Sequence, residues 1–154
     1  MSLTIRLFEP GDLERVAKIE RVSFNDPWPT SFFTYMQGKA PDLFLVAVDE
    51  DEIAGYVVGE MREIMLSGIP HQFKMGHILN IAVDKGGRRR GVGNRLMEAV
   101  EMRFRDRKAT KVTLEVRESN ISARAFYSRR GYEEIGRVKA YYPDEDAVIM
   151  SKNL

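Results

Sequence analysis

The sequence predicts a mixed α/β domain in which an antiparallel meander leads into a β-α-β crossover. Three stretches carry that expectation. Two apolar runs, residues 43–48 and 53–61, flank the acidic turn Asp49-Glu50-Asp51-Glu52, the pattern of an antiparallel hairpin. The apolar run 76–83 passes through a Gly-rich break into a segment with Val92, Leu96, Val100 and Phe104 at steps of four. An alternating run at 111–117 follows, and strand, helix, strand in that succession makes a right-handed crossover between parallel neighbours. The chain then closes on two runs, 132–138 and 147–150, across Pro143-Asp144-Glu145-Asp146. The predicted order is β-α-α-β-β-β-α-β-α-β-β, seven strands and four helices in a single domain, residues 1–154.

Each element has its own local reason. Residues 3–7 alternate and read as the first strand. Asp12 follows a Pro-Gly turn and is the expected N-cap of a helix carrying Leu13, Val16 and Ile19, running to about Phe24. Asn25-Asp26-Pro27-Trp28-Pro29 is excluded from regular structure by its two prolines. Thr30 is the expected cap of a second helix through Phe33 and Met36, which Pro41 stops. Residues 61–73 lack a period and are expected to be irregular. The run 76–83 is nearly continuously apolar, as in a strand covered on both faces. The long helix, 91–108, ends in Arg103, Arg105, Arg107 and Lys108, which suit a helix C-terminus. Within 111–117, Val112, Leu114 and Val116 share one face. Ser119 or Asn120 caps the last helix, and Gly131 is its C′ residue.

Composition narrows the chemistry. With 154 residues, 44% apolar and 31% charged, the chain is large enough to bury its own core. A net charge of +1 leaves no global drive toward nucleic acid, so a nucleic-acid partner is not expected. The chain has no cysteine, which excludes thiolate metal sites and thiol nucleophiles, and its two histidines, His71 and His77, make a His-rich metal site unexpected. No metal is expected. The first residues show no apolar signal core, and no run approaches a membrane span, which sets a cytoplasmic expectation.

The chemistry is concentrated after the apolar run 76–83. There the chain reads Asp84-Lys85-Gly86-Gly87-Arg88-Arg89-Arg90-Gly91-Val92-Gly93-Asn94 and enters a helix. A strand feeding a Gly-rich turn and a helix N-terminus holds phosphate, because the first helical N–H groups lack intrahelical partners and the dipole favours negative charge. Glycine allows close backbone approach, and arginine adds fork-shaped donors. A dinucleotide fold would need G-x-G-x-x-G at the first strand, and a P-loop would need G-x-x-x-x-G-K-[ST]; neither is present.

The string Arg88-Arg89-Arg90-Gly91-Val92-Gly93 fits [Q/R]-x-x-G-x-[G/A] and resembles the acetyl-CoA pyrophosphate motif of the GNAT N-acetyltransferase superfamily. The strand I-L-N-I-A-V-D before it, L-E-V-R-E-S-N from Leu114, A-R-A-F-Y and R-R-G-Y after it, and the closing Y-Y-P-D-E-D-A-V-I-M extend the likeness to the RimI-like branch, which acetylates protein N-termini. Lys85-Gly86-Gly87 departs from the pattern, since relatives commonly carry Pro and an aromatic there.

The resemblance implies the GNAT fold: a mixed sheet with an antiparallel N-terminal meander, a parallel pair at the cofactor site and helices on the faces. It implies acetyl-CoA as co-substrate, bound by Arg88, Arg89, Arg90, Gly91, Val92, Gly93 and Asn94. Ile81, Ala82 and Val83 would pair with the pantetheine arm, and Asn120 and Tyr127 would touch the cofactor. Glu115 matches the position of the family's base and Tyr127 that of its acid. His77 stands where some relatives hold a water with Tyr. The residues agree with these roles. A mid-strand carboxylate is costly unless it has work or a partner. A Tyr of pKa about 10 matches a thiol leaving group near 8.5 better than a surface Lys does. Phe126 and Tyr127 are neighbours on a helix, about 100° apart, and cannot both face the core.

Asp26, Trp28, Tyr141 and Tyr142 lie in aromatic-rich, exposed-looking segments and are candidates for binding an extended peptide acceptor. The expected acceptor is a protein or peptide N-terminus, ribosomal proteins among the candidates, attacked directly because no Cys can carry an acetyl group. A monomer or weak homodimer is expected. The rival functions are acetylation of lysine or small-molecule amines, a basic RNA- or nucleotide-binding module, and a silent acyl-CoA sensor.

Overall fold

The computed structural model describes residues 2–65, 72–87 and 90–154. The acidic turn closes on two left-handed residues, Glu50 (φ 50°) and Asp51 (φ 69°), the backbone a two-residue hairpin turn requires. Around it, Leu3–Leu7 (β1), Leu13–Ser23 (α1), Thr30–Lys39 (α2), Phe44–Asp49 (β2) and Glu52–Met65 (β3) are followed by Gln72–Val83 (β4) and Val92–Asp106 (α3). Lys111–Arg117 (β5), Ile121–Arg129 (α4), Glu133–Tyr142 (β6) and Glu145–Asn153 (β7) complete the chain. The strands form one seven-stranded sheet in the order β1-β2-β3-β4-β5-β7-β6, with β4 and β5 parallel. Among the described residues no helix is long and apolar enough to cross a membrane.

The chain divides into two compact units. The first comprises Met1–Glu60 and Asn80–Arg103. Here β1 and β2 pair antiparallel (Ile5 opposite Ala47), as do β2 and β3 (Ala47 opposite Gly55). Val16, Ile19, Phe33, Phe44, Tyr56, Leu96 and Val100 form its fully buried core. Gly55 permits a close approach that any side chain would block, because a Cβ there would lie 2.9 Å from the carbonyl oxygen of Ala82 and 3.2 Å from Val92 and Leu96.

The second unit comprises Met61–Leu79 and Phe104–Leu154. In it, β4 and β5 run parallel with His77 opposite Thr113, and β7 pairs antiparallel with both β5 and β6. The alternation in β5 is as expected: Val112, Leu114 and Val116 are buried, and Thr113, Glu115 and Arg117 occupy the other face. Gly76 lies against the ring of buried Phe104, and a Cβ there would come within 2.5 Å of that ring. Gly76→Ala is therefore expected to destabilise the fold by about 1–3 kcal/mol through overpacking, read as a lower denaturation midpoint with unchanged m-value.

Several local expectations are corrected. Residues 62–65 and 72–73 are strand, not irregular, while 66–71 of that stretch lie outside the described residues: β3 and β4 are neighbours in the sheet, and that pairing organises backbone whose side-chain pattern gives no signal. Asp12 stands at the N-cap position of α1, as expected, but its side chain makes no capping bond to that helix. Its carboxylate accepts the Glu9 N–H at 2.8 Å and the Arg6 guanidinium at 2.7 Å, closing the 3-10 turn Pro10–Asp12 instead. Burial of Asp12 works against ionisation, but the bonds from Arg6 and Glu9 prevail and hold its carboxyl below the usual range. Thr30 is the first residue of α2, with Pro29 in the cap position. The closing strands are longer than the apolar runs, leaving only Pro143-Asp144 between them.

Candidate active site

The clearest constellation lies on the polar face of β5. Register places His77 of β4 directly opposite Thr113, and Glu115 is two residues farther along the same face. The imidazole of buried His77 spans both: Nδ1 is 2.7 Å from the Thr113 hydroxyl and Nε2 is 2.7 Å from a Glu115 carboxylate oxygen. A carboxylate only accepts, so Nε2 carries the proton in this contact. Glu115 keeps a side-chain exposure of 19%, so it is not sealed from solvent.

Tyr141 and Tyr142 end β6 in an edge-to-face pair, ring centroids 4.9 Å apart. Burial raises the pKa of both, pushing Tyr142 up to about 12, and the Glu115 charge adds to each rise. The structure thus brings Glu115, His77, Tyr141 and Tyr142 into one electrostatic neighbourhood. Arg117, on the same face of β5, lies over the Tyr142 ring at 4.2 Å and bonds Asp144 at 2.6 Å, which fixes the hairpin.

Tyr127 is the inward-facing member of its aromatic pair: it is buried, whereas Phe126 is half-buried. Its carbonyl accepts the Tyr132 N–H at 3.0 Å, and the Gly131 N–H reaches Ser128 at 3.1 Å, a Schellman ending with Gly131 at φ 94°. Burial first, then Tyr142, pushes the Tyr127 pKa well above the ordinary phenol value. Asn120, rather than Ser119, caps α4, its side chain accepting the Ala123 N–H at 3.1 Å.

The first unit carries the other candidates. The Gly91 carbonyl accepts the Arg95 N–H at 3.0 Å, so Gly91 is the N-cap of α3. Its φ of 77° lies in the left-handed region, where glycine is favoured. A Cβ on Gly91 would meet none of the described residues within 4 Å. Val92 is buried and anchors the helix, while Gly93 and Asn94 continue its first turn. Together these features fit a bound pyrophosphate.

The Arg90 guanidinium is 2.6 Å from buried Asp49, so at least part of its charge is committed to bracing the loop. Arg88 and Arg89 lie outside the described residues. The divergent Lys85–Gly87 segment is a 3-10 turn, preceded by Asp84, whose N–H bonds Ala54 at 2.8 Å. Ala82 is buried at the end of β4, with Ile81 and Val83 half-buried around it. Asp26 is exposed, and Trp28 stacks on Phe32 with centroids 4.1 Å apart. Among the described residues no cluster of three His, Asp or Glu side chains could hold a metal ion.

Sequence reasoning passed over Thr113 and Arg117, although the alternation that places Glu115 off the core face places them beside it. It also passed over Glu20, a charged residue in the apolar stripe of α1.

The sequence pattern of the acetyltransferase (GNAT) family matches residues 13–132. The chain belongs to this family. An N-alpha-acetyltransferase of Saccharolobus solfataricus is 30% identical over 155 residues, covering 98% of this chain and 93% of the relative. The ribosomal protein bS18-alanine N-acetyltransferase of Salmonella typhimurium is 31% identical over 152 residues, covering 96% and 95%. Naa20 of Chaetomium thermophilum, solved with a bisubstrate analogue, superposes with a TM-score of 0.87 at 34% identity, covering 98% of this chain and 86% of the Naa20 chain. The seven-stranded mixed sheet with four helices is the GNAT fold.

Proposed function

We propose that this protein transfers the acetyl group of acetyl-CoA to the α-amine of a protein N-terminus, by direct attack within a ternary complex. The observation that carries the reading is Glu115: a half-buried carboxylate that contacts buried His77 at 2.7 Å and whose charge helps to raise the pKa of Tyr141 and Tyr142. An α-ammonium of pKa about 8 releases its proton roughly 3 kcal/mol more readily than a lysine of pKa about 10.4. A modest base suffices for such an amine, and Glu115 takes that proton directly or through a water. The nitrogen–carbon bond forms as the carbon–sulfur bond breaks, and the electron pair leaves on sulfur, where the Tyr127 hydroxyl donates a hydrogen bond; the second proton of the attacking amine passes through solvent to the thiolate, which leaves the amide and the free thiol of CoA. His77, held by Thr113, orients Glu115.

Backbone donors from Gly91 to Asn94 hold the pyrophosphate, with Arg88 and Arg89 supplying charge. Ile81, Ala82 and Val83 pair with the pantetheine arm, and Asn120 contacts the cofactor. Asp26, Trp28, Tyr141 and Tyr142 receive the acceptor peptide. The names of the Salmonella and Saccharolobus relatives support an α-amine acceptor, with ribosomal proteins as one source. An acceptor of that kind supports a cytoplasmic activity. The whole chain, residues 1–154, acts as one acetyltransferase domain, working as a monomer or weak homodimer.

Mass spectrometry of peptide libraries incubated with acetyl-CoA tests this reading. Acetyl groups are expected on free α-amines, with none on peptides whose α-amine is blocked and whose lysines are free. Modification of lysine alone would overturn the acceptor assignment.

A further inference from the structure

Glu20 is 1% exposed, on the stripe of α1 that also buries Val16 and Ile19. A carboxylate there is costly to desolvate, and an apolar residue would serve packing better. Its partners show what it holds. One oxygen accepts the Trp28 backbone N–H at 2.9 Å. The other accepts the Asn80 amide at 2.5 Å and the Tyr56 hydroxyl. All three partners donate, which matches a group that only accepts. Burial raises the Glu20 pKa, and the three hydrogen bonds counter that rise.

Two of these partners bear on the proposed reaction. Trp28 sits between Pro27 and Pro29, neither of which has an N–H, so its amide is the only backbone donor in that stretch. Glu20 takes that donor. The indole beyond it stacks on Phe32 and stays 44% exposed. Asn80 immediately precedes Ile81–Val83, the part of β4 assigned above to the pantetheine arm.

We propose that Glu20 is a positioning residue for acetyl transfer: one buried carboxylate fixes the 25–29 loop, and the exposed Trp28 indole, against the start of the cofactor-pairing stretch of β4. The inference rests on the proposed function in one respect, that this loop meets the acceptor. Losing Glu20 frees the loop while leaving the pyrophosphate loop and Glu115 untouched.

The test compares Glu20→Ala and Glu20→Gln with Tyr56→Phe, each assayed well below its own Tm. Tyr56→Phe removes one partner of Glu20 but leaves the Trp28 tether. For Glu20→Ala the KM for an N-terminal peptide is expected to rise on the order of tenfold, with the acetyl-CoA KM within about twofold. Glu20→Gln keeps one acceptor and is expected to fall between it and the wild type. Trp28 is the only tryptophan, so its fluorescence reports on the loop alone. Acrylamide quenching is expected to increase in Glu20→Ala and to stay at the wild-type level in Tyr56→Phe. If Glu20→Ala does not fold, the same two readings on Glu20→Gln decide.

Unchanged peptide KM with loosened Trp28 would overturn the positioning role, as would unchanged quenching. An equal KM rise in Tyr56→Phe would reduce Glu20 to general stabilisation and overturn it too. A wild-type protein that binds acetyl-CoA but acetylates no α-amine refutes the proposed function itself, and wild-type turnover distinguishes that failure from failure of the Glu20 role.

Discussion

Glu115→Gln is expected to lower kcat for an N-terminal peptide by on the order of 100-fold at neutral pH, the usual range for loss of a positioned base. The amide matches the carboxylate in size, and its oxygen still accepts the His77 Nε2 proton, so the fold and the acetyl-CoA KM should hold. What disappears is the proton acceptor. The variant can then use only acceptor molecules whose amine is already neutral. With an α-amine pKa of about 8, its rate should climb close to tenfold per pH unit below that value and level off above it. The wild-type protein, which removes the proton itself, should show a shallower rise. The deficit therefore shrinks as pH increases, and a kcat profile from about pH 6 to 9.5 for both proteins reads it. A loss that stays constant across that range would assign Glu115 to structure, as the partner that keeps buried His77 satisfied. His77→Gln is the companion variant. It removes the imidazole and leaves the carboxylate, so a base merely oriented by His77 should retain more activity there than in Glu115→Gln.

The parts of this architecture that the sequence reveals are those encoded by neighbours. The Asp49–Glu52 turn, the Gly91 break before α3, the Asn120 cap and the Gly131 ending each need only a few adjacent residues, and each stands where local chemistry puts it. The alternation of β5 is by itself enough to sort Glu115 from Val112, Leu114 and Val116. What escapes is pairing between distant positions. Glu20 finds its partners 36 residues away at Tyr56 and 60 away at Asn80. Its signal, a charge in an apolar stripe, says only that some partner must exist. Arg90 likewise reads as a phosphate ligand from its motif, and only the fold places Asp49 beside it. The strand character of residues 62–65 and 72–73 comes from the neighbouring strands β3 and β4, a partnership that no window on those residues contains.

Tyr127→Phe is expected to reduce kcat by about 10- to 100-fold while changing the acetyl-CoA KM by less than about twofold, the pattern for a donor used only as charge develops. The side chain is buried in α4 and its backbone is locked by the Gly131 ending, so loss of the hydroxyl leaves the ring packed against Phe126 and Tyr132. The raised pKa defines what this hydroxyl can do. Burial disfavours the phenolate, so the proton stays on Tyr127 throughout the working range. A departing thiolate, with a thiol pKa of about 8.5, is a weaker base than a phenolate held above 10 and would not keep that proton. Tyr127 therefore stabilises the sulfur by donating a hydrogen bond and need not ionise. The sign of the pH dependence follows: the Tyr127 contribution should be flat from about pH 6 to 10, with no alkaline limb of its own. Wild type and Tyr127→Phe should then give parallel kcat profiles separated by a constant factor. An alkaline fall in the wild type that vanishes in Tyr127→Phe would show that the phenol does ionise during turnover, and would restore it to full proton transfer. Equal kcat values would remove it from the reaction.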